Sequence, residues 1–251
     1  MKICDAHIHT GQFREEYTGS EDVFDFLDAH NVEYFAASSI CTCDGTIERV
    51  LPEMEAMNRL AGNRFVPVLW IAPEWIDEGR DELQRLLESE IPWKCLKIHG
   101  YYSRWDLVPD RLEKVVKMAH DMQLPLLLHT GGCEMSDAGS YKDLISRHPE
   151  VTFILAHCRP GDQALDVMKS CLNCWGDTAF TPPRDVKMLV DAGLSDRLML
   201  GTDYPLHRSF YKGRDMDEVY DNTIAELRAT MSDENWQKVA RGNFCRLFHI
   251  S

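Results

Sequence analysis

The chain has 251 residues, 44% of them hydrophobic, with 27 Lys and Arg against 41 Asp and Glu and a formal net charge of −14. That length supports one sizeable core and is typical of a closed α/β barrel built as a single domain. The acidic balance repels nucleic-acid phosphates and anionic lipid, and no run approaches the about 20 apolar residues needed to cross a bilayer, so nucleic-acid and membrane roles are not expected.

Apolar bursts alternate with amphipathic stretches along the whole chain. A first strand over Ile3–His9 closes on His7 and His9, whose i, i+2 spacing sends both imidazoles to one face. A helix at Glu21–Asn31 leads to a strand at Glu33–Ser38, and a helix at Ile47–Ala61 to a strand at Phe65–Ile71. A helix at Asp77–Glu90 precedes the strand Lys94–His99. The helix Pro109–Met122, with proline at its start, precedes Pro125–His129, whose almost wholly apolar run suits a strand buried on both faces. The pattern continues with Ser140–His148 before Val151–His157, Asp162–Cys171 before Asn173–Thr178, and Pro183–Ala192 before Arg197–Asp203. The tail from Ser232 to Phe248 reads as a capped helix whose aromatics are expected to close the outer layer.

Eight strand–helix alternations favour an α/β fold of the (β/α)8 TIM-barrel type, one domain over 1–251 with no accessory domain. A doubly wound sheet holding a dinucleotide would carry a glycine-rich turn after its first strand, and none is present. The short apolar N-terminus, broken by Asp5, does not have the form of a cleaved leader. Nine cysteines in no regular framework are expected as reduced thiols in the cytoplasm. Cys41-Thr42-Cys43 and Cys171-Leu172-Asn173-Cys174 lack a matching second pair and read as small apolar filler rather than a zinc or redox motif.

In a barrel of this type, chemistry sits at the C-terminal ends of the strands. Here the first strand ends in His7 and His9, the fifth in His129, the sixth in His157 and the eighth in Asp203. Each alone has a structural explanation: a histidine beside Thr130-Gly131-Gly132 can bond a turn, and Asp203 before Tyr204-Pro205 can cap a loop. Five metal-competent groups at matching ends of four strands point instead to a metal site.

The segments Asp5-Ala6-His7-Ile8-His9, Leu126-Leu127-Leu128-His129, Ile154-Leu155-Ala156-His157 and Gly201-Thr202-Asp203-Tyr204-Pro205, with the closing Val239-Ala240-Arg241-Gly242-Asn243-Phe244, resemble the amidohydrolase superfamily. Within it they resemble the amidohydrolase-2 group of TIM-barrel metal-dependent hydrolases and decarboxylases. The resemblance implies that His7, His9, His129 and Asp203 ligate one divalent ion, and that His157 is the acid/base, or a ligand should a second metal bind. Three imidazoles and a carboxylate suit Zn2+ first, with Mn2+ and Fe2+ also compatible. It further implies an ion that activates water for attack on a carbonyl, with Asp203 or His157 carrying the proton. In binuclear relatives a lysine on the fourth strand is carboxylated and bridges the metals. For Lys97 the alternatives are a buried cation among acids or a substrate contact. Resemblance to the metal-dependent deoxyribonuclease branch is weaker, because Leu96-Lys97-Ile98-His99 stands where that branch has a glutamate.

Specificity is expected from the loops after the strands, where Trp70, Trp75 and the segment Tyr101-Tyr102-Ser103-Arg104-Trp105 fall. Lys97, His99, Tyr101, Arg104, Arg159 and Arg208 are the candidate substrate contacts, suited to a small acyl or ring compound bearing a carboxylate. The expected activity is hydrolysis of a C–N or C–O acyl bond in a small polar metabolite. Non-oxidative decarboxylation of an aromatic or unsaturated acid is the alternative, and a catalytically silent metal-binding barrel the minor one. The expected partner is a small molecule; a homo-oligomer is compatible, but no sequence patch marks an interface.

Overall fold

The computed structural model describes residues 1–44, 47–77, 79–100 and 109–250. Among these residues nine strands form one sheet: β1 (Ile3–Phe13), β2 (Glu16–Thr18), β3 (Val32–Ser39), β4 (Phe65–Trp70), β5 (Cys95–Ile98), β6 (Leu126–His129), β7 (Phe153–Ala156), β8 (Cys174–Asp177) and β9 (Leu198–Met199). Their spatial order is β2-β1-β3-β4-β5-β6-β7-β8-β9. All neighbours are parallel except β2, which returns antiparallel on β1. Beyond β9 the chain closes the sheet onto β1: Ala6 N donates to Leu200 O at 2.8 Å, Asp203 N to His7 O at 2.8 Å and His9 N to Tyr204 O at 2.7 Å. The eight parallel strands therefore make the expected barrel, with helices packed outside them.

Alternation along the strands sorts side chains into two cores. Leu96, Ile98, Leu126, Leu128, Phe153 and Leu155 point outward into the layer shared with the helices. Cys4, Ala6, Val66, Val68, Cys95 and Leu127 fill the lower interior of the barrel. The tail corrects one expectation. Residues 233–247 do run helically, from an N-cap at Ser232 through a π-helical turn at Lys238–Gly242, but Phe244 joins the inner cluster and plugs the barrel floor instead of the outer layer. Asn243 fixes it there, donating to the carbonyls of Ser195 at 2.6 Å and Leu198 at 2.7 Å.

Three further elements differ from the sequence pattern. β2 is a three-residue strand, too short to carry an alternation of its own. The helix Met216–Arg228, capped by Asp215 side-chain bonds to the amides of Asp217 and Glu218, lies in a stretch where no helix was expected. The helix expected over Asp77–Glu90 shortens to Glu82–Leu87, preceded by a 3-10 turn at Pro73–Ile76. No helix among the described residues is long and apolar enough to cross a membrane. Cys4, Cys95, Cys158 and Cys174 are buried thiols in or beside the strands.

Candidate functional site

The upper end of the barrel gathers the polar residues. On β1, simple alternation from Ile3 would put Ile3 and Asp5 on the same face as His7. A register shift between Asp5 and Ile8 breaks that alternation, as a bulge does when it re-aims a side chain. Ile3 and Ile8 consequently pack outward while Cys4 and Ala6 fill the interior, and His7 and His9 both line the cavity above them. Two other site residues depart from strand geometry: His157 has φ 71° and Asp203 φ 64°. Each left-handed residue costs on the order of 1–3 kcal/mol, an expense proteins concentrate at functional positions.

The hydrogen-bond partners assign the protons on the four imidazoles. His157 Nδ1 lies 2.9 Å from the carbonyl of Ala179 and His9 Nδ1 3.3 Å from that of Ser38. A carbonyl only accepts, so His157 carries its proton on Nδ1. His9 Nδ1 also lies 3.1 Å from the Ser38 hydroxyl, and it is the Lys97 ammonium, a donor only, 3.2 Å from His9 Nε2 that places the His9 proton on Nδ1. His7 Nδ1 donates to Asp177 Oδ2 at 3.0 Å. With its Nδ1 protonated, His157 accepts at Nε2 from His129 Nδ1, 3.0 Å away. Nε2 therefore stays bare on His7, His9 and His129. Burial pushes all four imidazoles below their usual range, keeping them neutral.

Asp203 Oδ1 lies 3.1 Å from His9 Nε2 and 3.5 Å from His7 Nε2. It is buried without a hydrogen-bond partner. Three electron pairs thus face one small region with no ring proton on either imidazole nitrogen, and the three ligand atoms lie within 4.8 Å of one another. A divalent cation satisfies such a donor set. His129 is not part of that trio; its ring is stacked on His99 at 3.5 Å and tilted by 14°. His99 in turn stacks on Trp70 at 5.2 Å.

Lys97 enters the site from β5. Its Nζ stands 2.9 Å from His7 Nε2 and 3.2 Å from His9 Nε2, and 4.6 Å over the Trp70 ring. Burial pulls its amine down to about 8, against the opposing charges of Asp203 and Asp177. Burial pushes the Asp203 carboxyl up, opposed by His7 and Lys97.

Asp177, at the end of β8, went unnoticed in the sequence. It is fully buried and holds two site histidines at once. Its Oδ2 accepts from His7 Nδ1, while its Oδ1 accepts from the backbone amides of His157 at 2.9 Å and Ala179 at 3.0 Å. The available signal was an acidic residue at the C-terminal end of the seventh barrel strand, hidden in Trp175-Gly176-Asp177-Thr178.

The outer contacts divide. Arg159 lines the cavity, its Nε buried and without a hydrogen-bond partner. Thr130 Oγ1 accepts from its amide at 2.8 Å and Ala138 N donates to its carbonyl at 2.9 Å. Gly131, at φ 86°, leaves room for its side chain, since a Cβ there would sit 3.0 Å from Arg159 Cβ and Nε. Arg208 does not reach the cavity: it donates to Thr18 Oγ1 at 3.2 Å and to the Tyr204 hydroxyl at 3.1 Å. The helical turn His207–Phe210 that follows Asp203 carries it to that side. Tyr101 and Arg104 lie outside the described residues. The cavity, of about 380 Å³, has the histidines and Asp203 among its lining, with Phe13, Phe180 and Phe210 also on its wall.

Comparison with known proteins agrees with this architecture. A family profile described as Amidohydrolase matches residues 4–250. A zinc-bound amidohydrolase from Burkholderia multivorans superposes with a TM-score of 0.68 at 12% identity, covering 100% of both chains. A putative 2-pyrone-4,6-dicarboxylic acid hydrolase from Pseudomonas putida gives 0.71 at 12% identity over 100% of this chain and 98% of that one. A 4-oxalomesaconate hydratase from Rhodopseudomonas palustris gives 0.65 at 14% identity, over 99% and 96%. No curated protein sequence matches the chain. With the profile spanning nearly every residue of a barrel so built, this chain belongs to the amidohydrolase family.

Proposed function

We propose that this protein is a metal-dependent hydrolase of a small, carboxylate-bearing metabolite, cleaving a C–N or C–O acyl bond. The observation that carries the reading is the convergence of two bare imidazole nitrogens on an unpartnered carboxylate oxygen, at His7, His9 and Asp203. In this reading His129 completes the ligand set through its own bare Nε2. Zinc is the foremost candidate, as in the B. multivorans relative, with Mn2+ and Fe2+ also compatible. A bound ion there would activate water and polarise the scissile carbonyl.

The remaining steps belong to side chains. Nδ1 of His157 is held by the Ala179 carbonyl, so a proton enters or leaves that ring only at Nε2, which accepts from His129 Nδ1 at 3.0 Å and lies 4.0 Å from Asp203 Oδ2. Asp203, with its carboxyl raised by burial, can take a proton from the attacking water and hand it to the leaving group. Arg159 offers a guanidinium that no acidic side chain among the described residues pairs within 4 Å, suited to the substrate carboxylate. The name of the P. putida relative, a pyrone dicarboxylic acid hydrolase, supports a cyclic ester bearing carboxylates. Nine cysteines in no regular framework support action in the cytoplasm.

The test is elemental analysis of protein purified without added metal, followed by assay of chelator-treated and zinc-restored samples on carboxylated lactones, esters and amides. About one ion per chain, with acid release lost on chelation and recovered on restoration, is expected for three imidazoles and a carboxylate. Two ions per chain would make His157 a ligand and Lys97 a carboxylated bridge. Stoichiometric carbon dioxide with no water consumed would replace the hydrolase by a decarboxylase.

Asp177→Asn tests the shell behind the ligands. An amide keeps the shape but weakens the acceptor that orients His7, and zinc affinity is expected to fall about 10- to 100-fold. Chelator competition measures it; unchanged affinity would reduce Asp177 to a packing role.

A further inference from the structure

The geometry around Lys97 points to a role that the metal reading does not include. β5 alternates Cys95 inward and Leu96 outward, which delivers Lys97 to the barrel interior just above the inner core. Its ammonium donates to His7 Nε2 at 2.9 Å and to His9 Nε2 at 3.2 Å. Those two nitrogens are bare because Asp177 and the Ser38 carbonyl hold the protons on the opposite ring atoms. They are also the nitrogens that a metal ion would use. An in-plane imidazole nitrogen has one lone pair, so it serves the ammonium or the ion but not both.

Resting on the metal reading above, we propose that Lys97 is an internal competitor of the metal. In the metal-free protein its ammonium holds the His7–His9 donor pair, and an incoming ion must displace it. The Trp70 ring, 4.6 Å from Nζ, gives the displaced cation an aromatic face to rest against. Two consequences follow. The ligands stay ordered without metal, because a donor satisfies both nitrogens. The apparent affinity for metal is lowered, because the site is available only in the fraction of molecules whose lysine has withdrawn.

Lys97→Met removes the competing charge while keeping an unbranched side chain of similar reach. Zinc affinity, measured on the full chain by competition with a chromogenic chelator, is expected to tighten about tenfold or more relative to wild type. The metal-free variant is expected to melt at a lower temperature than metal-free wild type, because two buried acceptors lose their donor. Lys97→Gln, which keeps length and polarity, provides a second variant should the methionine protein fold poorly, and it too is expected to bind zinc more tightly. Equal or weaker zinc binding in the folded variants overturns the proposal, and leaves the metal reading standing if wild type binds zinc. Weaker binding with loss of one ion per chain would mark Lys97 as a carboxylated ligand. Failure of wild type and both variants to bind zinc overturns the metal reading together with the competition.

Discussion

Asp203→Asn is expected to lower kcat/KM by about a thousandfold, in the range seen when a general acid or base is removed, while leaving the fold intact. The substitution is nearly isosteric, and the site specifies what it changes. Asp203 Oδ1 is buried without a hydrogen-bond partner, beside two imidazole nitrogens that carry no proton. An amide in its place presents an N–H toward His9 Nε2 and removes a buried negative charge, so the melting temperature should hold or rise. The carboxamide oxygen remains a weak ligand, but it can neither take a proton nor carry one. Rate, melting temperature and metal content measured on the same preparation separate the effects. A large rate loss at equal metal content assigns Asp203 to proton transfer; a loss that follows metal content assigns it to ligation alone. An unaltered rate removes it from the mechanism.

The same residue shows how far the sequence could be read. Asp203 stood out because a carboxylate ended the last apolar run, and His7, His9, His129 and His157 stood out for the same reason at other strand ends. Strand ends are legible because the buried, parallel strands of a barrel are nearly continuous apolar runs, and a polar residue at the end of one is conspicuous. What was not legible is the aiming. The register shift in β1 and the left-handed conformations of His157 and Asp203 leave no mark in residue type. Asp177 ends a less apolar strand and passes for a turn residue, although its carboxylate holds both His7 and the backbone of His157. Arg208 shows the opposite error. Proximity in sequence to Asp203 suggested a place in the cavity, but the intervening helical turn points it at Thr18 and Tyr204. Position along a strand survives translation into structure better than position along a loop, because a loop's direction depends on contacts its own sequence does not encode.

His7→Ala is expected to reduce zinc content to a small fraction of wild type, with an affinity loss beyond the about 10- to 100-fold typical of removing only an orienting partner. His7 is where three lines of the site meet. Its Nε2 faces Asp203 and Lys97, its Nδ1 is held by Asp177, and its backbone carbonyl accepts from Asp203 N in the closure of the barrel. Alanine removes the first two and retains the third, because the backbone bond does not depend on the side chain. The barrel should therefore stay closed while the donor set loses a member. Among the described residues, Asp177 would be left with the amides of His157 and Ala179 as partners, and Lys97 with His9 as its imidazole. A stability loss of a few kcal/mol is expected from the cavity and the released carboxylate, without collapse of the fold. Metal content by elemental analysis, with circular dichroism to establish folding, decides the matter. Folded protein with a full complement of zinc would contradict a ligand role for His7, and would move the centre of the site toward His129 and His157. Folded protein without zinc would make the first strand's paired histidines the foundation of the site, as their shared face and bare nitrogens require.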